Sequence, residues 1–408
     1  MTFLTPREIA VVAVTAGSLM ISPFNAVYAQ TLNDAITSGK FSGQFRMRYE
    51  GVDQNNVLQD ADALTLRSTL KYESGVLNGF SAVLEMEDVR EMFGGNQYTV
   101  GPTGFNPGIY SVVADPDTTE LNQGFLQYAS DGFTARLGRQ VITHDSHRHI
   151  GSVPWRQDWQ VFDAFTLMYD VNEDIKISYN YLDSRERIFA EEADLDTSDH
   201  LFRGAWESPL GTVAAYAYLL EVDNTPVSNA LDTYGIRLSG NSKLGELPFS
   251  YLAEFATQES ENGATSYDAD YLMLEGGLSF SGVTAKLGYE LLGSDSGAYG
   301  FATPLATLHA FNGWADLFLA TPGQGLQDMY LNLSGKVLGG TLTAIFHDYE
   351  ADDDTPTVSD LGSEFNIQYV RPFASRYTLG LKYADYSVGD IAAKPDTQKV
   401  WVWLQARF

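Results

Sequence analysis

The sequence predicts an all-β protein: a transmembrane, antiparallel, up-and-down β-barrel of about 18 strands, with long loops at one rim and short turns at the other. Three observations lead to this prediction. Short segments alternate in polarity residue by residue, the connections between them alternate between short and long, and a leader-like N-terminus precedes a chain without further long apolar runs.

Residues 1–29 are predicted to be a signal peptide. Arg7 precedes an apolar run from Ile9 to Ile21, and a small-residue cleavage site ends at Ala29. A run of about 13 residues is short for a membrane-spanning helix, which needs roughly 20, but it suits the core of a secretion signal. The alternative is a buried N-terminal helix. Cleavage after Ala29 would leave residues 30–408 as a single barrel domain.

The period-two pattern begins at residue 41 and continues to the last residue. In the segment 41–50, Phe, Met and Tyr alternate with Gln, Arg and Glu. Successive side chains of a strand point to opposite faces, so each segment has one apolar and one polar face. The predicted strands are 41–50, 62–72, 79–88, 120–129, 132–142, 161–170, 173–183, 199–208, 212–222, 232–240, 247–258, 267–280, 282–292, 327–336, 340–350, 360–371, 376–386 and 398–408. Two of them, 120–129 and 161–170, depart from the pattern, because Phe125 and Phe162 fall on the polar face.

The connections between these strands alternate in length. The short ones contain turn residues such as Asp131-Gly132 and Gly339-Gly340, and the long ones include 89–119, 143–160 and 293–326. An even number of strands with this asymmetry is typical of a bacterial outer-membrane barrel, whose turns are periplasmic and whose loops are extracellular. The predicted location is therefore the bacterial outer membrane, among its lipid and lipopolysaccharide.

The last predicted strand ends in Phe408, after alternation through Val400, Val402, Leu404 and Ala406. This resembles the C-terminal signature that outer-membrane barrels present to their insertion machinery, which we expect as a partner. The alternative fold is a secreted two-sheet β-sandwich, in which inward residues alternate in the same way. Eighteen strands exceed the seven to nine of a usual sandwich.

Composition excludes several classes of function. With 25 Lys and Arg against 53 Asp and Glu, the net charge of −28 disfavours contact with phosphate backbones, so no nucleic-acid partner is expected. The absence of cysteine excludes disulfides and a cysteine nucleophile. His144, His147 and His149 lie close in sequence but in a loop context that does not predict a metal site. We expect no cofactor.

With the apolar face turned to lipid, many basic residues must face the lumen. A lysine or arginine facing lipid at mid-bilayer costs about 2–4 kcal/mol, which explains their direction although not their number. Glu50, Glu85, Glu87, Glu207 and Glu290 also face inward, so the lumen is mixed, with a positive balance expected. Rings of basic side chains favour anions in a pore. The inward bases are Arg46, Arg48, Arg67, Lys71, Arg136, Lys176, Arg203, Arg237, Lys286, Lys336, Lys382, Lys399 and Arg407.

Two segments resemble the alginate export family of outer-membrane channels. Residues 138–163 contain a Gly-Arg-Gln strand end, an Ile-Gly pair, a Trp-Arg pair and a Phe-Asp strand start, and residues 304–316 resemble the long late loop of that family. Together they cover about a tenth of the chain. The resemblance implies that the loops 143–160 and 293–326 fold over or into the pore.

The resemblance also implies the residues of a selectivity constriction. It places Arg139, Arg148, Arg156 and Asp163 there, with Arg46, Arg48 and Arg67 on the adjoining wall. We add Arg136, and Trp155 as an apolar face for sugar rings; arginine forks suit carboxylates. The predicted loop cap is Phe311, Asn312, Trp314 and Asp316. The alternative is a self-packed loop whose arginines pair with Asp145 and Asp158.

These observations predict a passive channel for anionic oligo- or polysaccharides such as alginate, for uptake or for export. The alternative is a general diffusion porin without saccharide selectivity. The chain contains no Gly-x-Ser-x-Gly elbow, phosphate loop or His-Glu-x-x-His motif, so we expect a channel and not an enzyme.

Overall fold

A computed structural model describes residues 28–94, 97–101, 106–223, 225, 229–391 and 394–408. Of the predicted signal peptide, residues 1–27 lie outside the described residues. The eighteen predicted strands are confirmed. They are β1 Lys40–Gln54, β2 Ala61–Glu73, β3 Phe80–Glu91, β4 Thr118–Ser130, β5 Phe133–Gln140, β6 Val161–Asp170, β7 Ile175–Glu186, β8 Leu195–Ser208, β9 Gly211–Leu220, β10 Asn229–Leu244, β11 Leu247–Asn262, β12 Thr265–Phe280, β13 Val283–Leu292, β14 Leu326–Val337, β15 Gly340–Thr355, β16 Val358–Phe373, β17 Tyr377–Ser387 and β18 Thr397–Arg407.

Each strand pairs antiparallel with its neighbours in sequence, and the sheet closes on itself. β18 pairs with β1, so that Arg48 lies opposite Trp403. Beyond that ladder, the amide of Gly43 donates to the carbonyl of Phe408 at 3.1 Å, and the amide of Phe408 donates back to Gly43 at 3.1 Å. Closure satisfies the backbone of the first and last strands and removes the open edges that a sandwich would have. The fold is therefore a barrel and not a two-sheet sandwich.

The two faces of the wall differ as the alternation predicts. Large apolar side chains such as Leu137 and Leu287 are 64% and 60% exposed on the outer face, whereas the inward Arg48 and Glu290 are 1% and 3% exposed. Phe45 stacks on Phe408 on the outer face, with ring centroids 5.8 Å apart. Apolar side chains facing lipid and polar side chains facing the lumen are the arrangement that a bilayer requires.

Phe125 and Phe162 do face inward. Gln140 and Phe162 lie opposite each other in the ladder between β5 and β6, and both side chains are almost completely buried. Phe162 belongs to an apolar cluster with Ile142 and Ile150 of the connection between these two strands. The lumen at this height therefore contains packed side chains, which is why an inward aromatic residue is stable there.

The turn between β4 and β5 shows how the short rim is built. Asp131 and Gly132 both have positive φ, 48° and 80°. Two-residue hairpin loops with positive φ at both positions match the right-handed twist of the flanking strands, and Asp-Gly is a favoured sequence for them. This turn brings Phe133 directly back against Ser130.

A short helix, α1 (Leu32–Thr37), lies at the periplasmic end of the barrel. Thr31 and Asp34 form a capping box at its start, and the Tyr72 hydroxyl donates to the carbonyl of Ile36 at 2.6 Å. Two single-turn 3₁₀ helices, Glu191–Ala193 and Leu308–Ala310, lie in the loops. In the described part of the chain, no helix has the length and apolar character needed to cross a bilayer.

Candidate pore constriction

The connections 141–160 and 293–325 both reach side chains on the inner face of the wall. They also contact each other, since the amide of Gly151 donates to the carbonyl of Leu305 at 2.7 Å and the Gln160 side chain donates to the same carbonyl at 3.1 Å. Their hydrogen bonds extend to strands on different sides of the barrel, including β1 and β13. The two connections therefore form one body inside the lumen, called here the two-loop plug.

Arg156 joins the two loops to β1. Its Nη1 donates to both carboxylate oxygens of Glu50, at 3.0 and 3.2 Å, and its Nη2 donates to Asp316 at 2.7 Å. Asp316 also accepts from Lys399 of β18 at 3.0 Å and lies 2.7 Å from Nδ1 of His309. Burial alone would raise the pKa of Asp316, but His309, Lys399 and Arg156 outweigh it and hold that pKa well below its usual value.

Arg148 makes the corresponding link to β13. Its Nε donates to Glu290 at 2.6 Å, its Nη1 donates to the Thr303 hydroxyl at 3.1 Å and its Nη2 donates to the side-chain Oδ1 of Asn312 at 3.0 Å. Its guanidinium also lies 4.8 Å from the ring centroid of Phe311. Burial opposes the charge, but Glu290 and Tyr271 outweigh that effect and raise the pKa of Arg148. Arg148 is therefore a fixed cation inside the plug.

A third extracellular loop contributes Asp115 to the same region. Arg48 donates to Asp115 and to the carbonyl of Trp155, and it lies 3.4 Å from Glu50. Asp115 also accepts from the amide of Gln157 at 3.0 Å. Arg46 donates to the Gln157 side chain at 2.8 Å and to the carbonyl of Pro154 at 3.0 Å. The arginines of β1 therefore hold the plug largely by donating to backbone carbonyls of the plug.

Trp155 lies at the centre of an aromatic cluster. Its ring stacks on His309 with centroids 4.7 Å apart and an interplanar angle of 4°. The ammonium of Lys382 lies 3.8 Å from the Trp155 ring centroid and 4.0 Å from that of Trp314, and its Nζ is 2.8 Å from Nε2 of His309. Cation–π contacts of this kind stabilise a desolvated ammonium. Trp155 therefore packs within the plug and does not present its face to the open lumen.

Bases outnumber the carboxylates paired with them where the plug meets the wall of β1, β2, β3, β17 and β18. Arg67 lies 3.7 Å from Glu87 and 4.9 Å from the Trp159 ring centroid, and its Nη1 has no hydrogen-bond partner among the described residues. Six bases lie in this region, and among the described residues four carboxylates form ion pairs with them. The bases are Arg46, Arg48, Arg67, Arg156, Lys382 and Lys399, and the carboxylates are Glu50, Glu87, Asp115 and Asp316; together they are called here the basic node.

Arg136 lies on a different part of the wall, on β5. Its Nε donates to Gln127 at 2.7 Å, and its guanidinium lies 5.3 Å from the ring centroid of Phe125. Arg136 forms no ion pair among the described residues, and the side chains of Arg136, Gln127 and Phe125 are only partly buried. This cation is therefore accessible from the lumen, unlike those of the basic node.

Arg139 and Asp163 do not lie in the lumen, contrary to the prediction. They form a two-pronged ion pair of 2.8 and 2.9 Å on facing strands β5 and β6, with Glu186 at 3.0 Å from Arg139. In both strands they share the face of Leu137 and Phe165, which point outward. The physical reason is the strict alternation of a strand, which places residues two apart on one face.

The predicted loop cap is pinned to the wall residue by residue. Asn312 donates to Glu290 at 2.7 Å and to Asp328 at 3.1 Å, and the amide of Ala315 donates to Glu364 at 2.9 Å. The amide of Trp314 donates to the same carboxylate. The partners of the loop arginines are thus wall carboxylates and Asp316, whereas Asp145 pairs with Arg203 and Asp158 accepts from the amide of Ala190.

The loop histidines have separate partners. His144 is 3.0 Å from the Tyr218 hydroxyl, and His149 is 3.0 Å from the Tyr216 hydroxyl and 3.2 Å from Glu254. Burial lowers the pKa of His144 to about 4, so it is neutral at physiological pH. Among the described residues, no group of three His, Cys, Asp or Glu side chains is placed to hold a metal ion.

Sequence reasoning did not identify Asp115, Lys382 or Phe125 as parts of the site. Asp115 lies in a long loop without a motif, and only the fold shows that it meets Arg48. The alternation of its strand places Lys382 inward, but it does not show that the Lys382 ammonium packs against the rings of Trp155 and Trp314. Phe125 carried a signal, since it departs from the polar alternation of its strand, and that departure marks an aromatic side chain in the lumen.

A closed 18-strand barrel with an apolar outer face and extracellular loops folded into its bore defines a bacterial outer-membrane channel of the porin type. The chain belongs to the alginate export family, because the family model described as "Alginate export" matches residues 37–294. The predicted family, fold and location are confirmed.

Solved porins share this fold at low sequence identity. OpdK of Pseudomonas aeruginosa, crystallised with vanillate, has a TM-score of 0.70 and 11% identity, covering 91% of this chain and 99% of its own. OccK9 (OpdG) of the same organism has a TM-score of 0.70 and 13% identity, and the match covers 92% of this chain and 99% of OccK9. OccAB4 of Acinetobacter baumannii has a TM-score of 0.71 and 12% identity, and the match covers 91% of this chain and 98% of OccAB4. No curated protein sequence matches the chain.

Proposed function

We propose that this barrel is a passive channel for anionic oligo- or polysaccharides such as alginate. The observation that carries the proposal is the basic node, where six bases meet four carboxylates beside the two-loop plug. Uncompensated positive charge in a narrow, low-dielectric channel lowers the barrier for anions and raises it for cations. Family membership supports the same substrate class.

The accessible contact for a solute in this proposal is Arg136. Its guanidinium has no carboxylate partner among the described residues, and the Phe125 ring beside it offers an apolar face. A uronate ring has the same two features, a carboxylate and a C–H face, so it can pair with the guanidinium and stack on the ring. The buried bases of the node would act through their field, because their hydrogen-bonding atoms are largely occupied.

Direction is not part of the proposal, since a passive channel follows the gradient of its solute. A general diffusion porin is the second candidate, and it is favoured by the inward carboxylates that balance bases elsewhere in the lumen. Glu275 pairs with Lys286 at 2.8 Å and Glu254 with Arg237 at 2.6 Å, so those parts of the wall are close to neutral.

Planar-bilayer recording of the purified barrel separates the two candidates. In a potassium chloride gradient, we expect a reversal potential that indicates chloride preference, and we expect oligouronates added to one side to block the current. Neutral oligosaccharides of equal length are the matched control and should block less. Cation preference without block by oligouronates would contradict the saccharide proposal and leave the general porin. Release of unsaturated sugar from alginate would instead reveal a lyase.

Arg136→Gln is expected to shift the reversal potential toward cations and to weaken block by oligouronates, with little change in conductance. Glutamine keeps a polar side chain at this position but removes the charge that a carboxylate would meet. The matched control is Arg371→Gln, which removes an exposed basic residue from the outward face of β16 at the periplasmic end. If both variants behave alike, Arg136 has no specific role in selecting the solute.

A further inference from the structure

The outer wall contains a hollow of about 650 Å³ on strands β5 to β9. Its outward-facing lining comprises aromatic and branched side chains at one side and small residues, Gly204, Ala215 and Ala217, at the other. These strands pair so that Gly204 lies between Ile177 and Ala215. The larger side chains of this lining include Ile177 and Phe202.

At six other glycines of the wall, an aromatic ring covers the backbone. A side chain added at those positions would overlap a ring on a neighbouring strand, because the ring already occupies the space over the glycine. Coverage of strand glycines by cross-strand aromatic rings is a known stabilising device of β-sheets. The covered glycines and their rings are Gly43 with Phe408, Gly235 with Tyr216, Gly240 with Tyr251, Gly288 with Tyr330, Gly340 with Tyr369 and Gly380 with Trp403.

Gly204 differs from these glycines. A Cβ built on it would meet only the Cγ2 of Ile177, at 3.9 Å, and its other neighbour across the ladder is Ala215. The protein therefore leaves an apolar depression uncovered at Gly204, whereas aromatic rings cover the outward-facing Gly43, Gly240 and Gly340. An unfilled depression forfeits dispersion contacts along its lining, so something of matching chemistry should occupy it.

The position of the hollow specifies its surroundings. Trp206 lies one outward position closer to the β8–β9 turn and is half exposed, as expected for an aromatic residue at the membrane interface. At about 3.4 Å per residue, Gly204 lies roughly 14 Å along the strand from the end of β8. That places the hollow in the periplasmic half of an apolar band about 25 Å tall. The leaflet that faces it is made of phospholipid.

We propose that this hollow is a binding site for one acyl chain of a phospholipid from the periplasmic leaflet. The site is continuous with the lipid-facing surface, and its outward lining has no charged side chain. It lies at the level of the hydrocarbon chains of the periplasmic leaflet. A second copy of the barrel would need a protruding side chain to fill a concave site, and the face around the hollow would have to pair over an area of about 1,000 Å² or more. An acyl chain needs neither.

The test uses the full barrel reconstituted in vesicles of phosphatidylethanolamine that carry a trace of the same lipid with a diazirine on its acyl chain. After illumination, mass spectrometry of peptides should find label concentrated on the segment 199–220. Gly204→Leu should lose most of that label, because the added side chain fills the hollow. The control is Ala253→Leu on the outward face of β11, which should keep the label on 199–220.

Ala217→Phe is a second filling variant in case Gly204→Leu inserts poorly, and heat-modifiable gel migration shows whether each variant is folded. Even labelling around the barrel, or label on 199–220 that both filling variants leave unchanged, would overturn the proposal. Labelling of this segment only by an acyl-diazirine lipopolysaccharide would overturn the choice of leaflet and lipid. Cross-links between two protein chains at this face would identify a second copy as the occupant.

Discussion

Replacing Arg156 with alanine is expected to increase the single-channel conductance and to weaken block by oligouronates more than any other single substitution in the plug. The guanidinium of Arg156 is the partner of both Glu50 and Asp316, at 3.0 and 2.7 Å, and all three side chains are at most 6% exposed. Removing one partner of a buried ion pair costs about 3–5 kcal/mol, because the remaining charge stays desolvated. Here two carboxylates lose that partner at once, and the arginine and lysine partners they keep are Arg48 for Glu50, at 3.4 Å, and Lys399 for Asp316, at 3.0 Å.

The cost of Arg156→Ala should fall on the loops and not on the barrel. The wall is a continuous antiparallel ladder closed between β1 and β18, whereas the two-loop plug is held by side chains. The carboxylates can regain water only when the plug leaves the wall, so the population with a withdrawn plug should rise. A shift of about 3 kcal/mol changes such a ratio more than a hundredfold, since each 1.4 kcal/mol is tenfold.

Single-channel recording of the folded variant measures this effect. Arg90→Ala is the matched control, because Arg90 pairs with Asp88 at 2.7 Å but the two side chains are 47% and 38% exposed. Exposed pairs are worth about 0–1 kcal/mol, so the control should conduct like the parent. The double variant Arg156→Ala, Asp316→Ala should differ from the sum of its single variants. Unchanged conductance in Arg156→Ala would show that the plug does not limit the current.

Arg148→Ala is expected to have the second-largest effect, again a higher and noisier conductance with weaker block. Arg148 fastens the first loop to β13 through Glu290 and to the second loop through Asn312, at 2.6 and 3.0 Å. Glu290 keeps two other donors after the substitution, the Tyr271 hydroxyl at 2.7 Å and the Asn312 amide at 2.7 Å. The penalty should be smaller than for Arg156, because Arg148 forms an ion pair with one carboxylate and Arg156 forms ion pairs with two.

Proteolysis of intact cells provides a second measurement for Arg148→Ala. A loosened plug should expose 141–160 and 293–325 to external protease, whereas the parent holds both loops inside the barrel. Arg148→Lys keeps the charge but not the three hydrogen bonds of the guanidinium, so its cleavage rate should lie between those of the parent and Arg148→Ala. If Arg148→Ala is cleaved no faster than the parent and conducts equally, the contact with Glu290 does not hold the plug in place.

The sequence by itself determined the wall. Alternation over 41–50 and seventeen further segments specified the strands and their outward face, because a strand has a side-chain period of two and a bilayer tolerates only apolar side chains on one side. At Arg139 the alternation and the family resemblance predict different positions, and the alternation is correct. Counting two residues on from Leu137 places Arg139 outside the lumen, and the structure agrees with the count.

The loops followed no such rule. Their sequences show arginine, tryptophan and histidine without a period, so the sequence indicated the chemistry of 143–160 and 304–316 but not the partners. The alternative of pairing with Asp145 and Asp158 was equally compatible with it. Arg156 in fact meets Glu50, which is 106 residues away, and Arg148 meets Glu290, which is 142 residues away.

The tertiary structure alone decided which charges remain available to a solute. Closure of the barrel brings Glu50 of β1 and Lys399 of β18 to the two sides of the Arg156–Asp316 pair. Most arginines of the predicted constriction are therefore buried and occupied. Arg136 has no ion-pair partner among the described residues, and its Nε donates to the neutral side chain of Gln127 instead. Local pattern fixes the direction of a side chain, whereas its partner depends on contacts between segments distant in sequence, and only the folded chain brings those segments together.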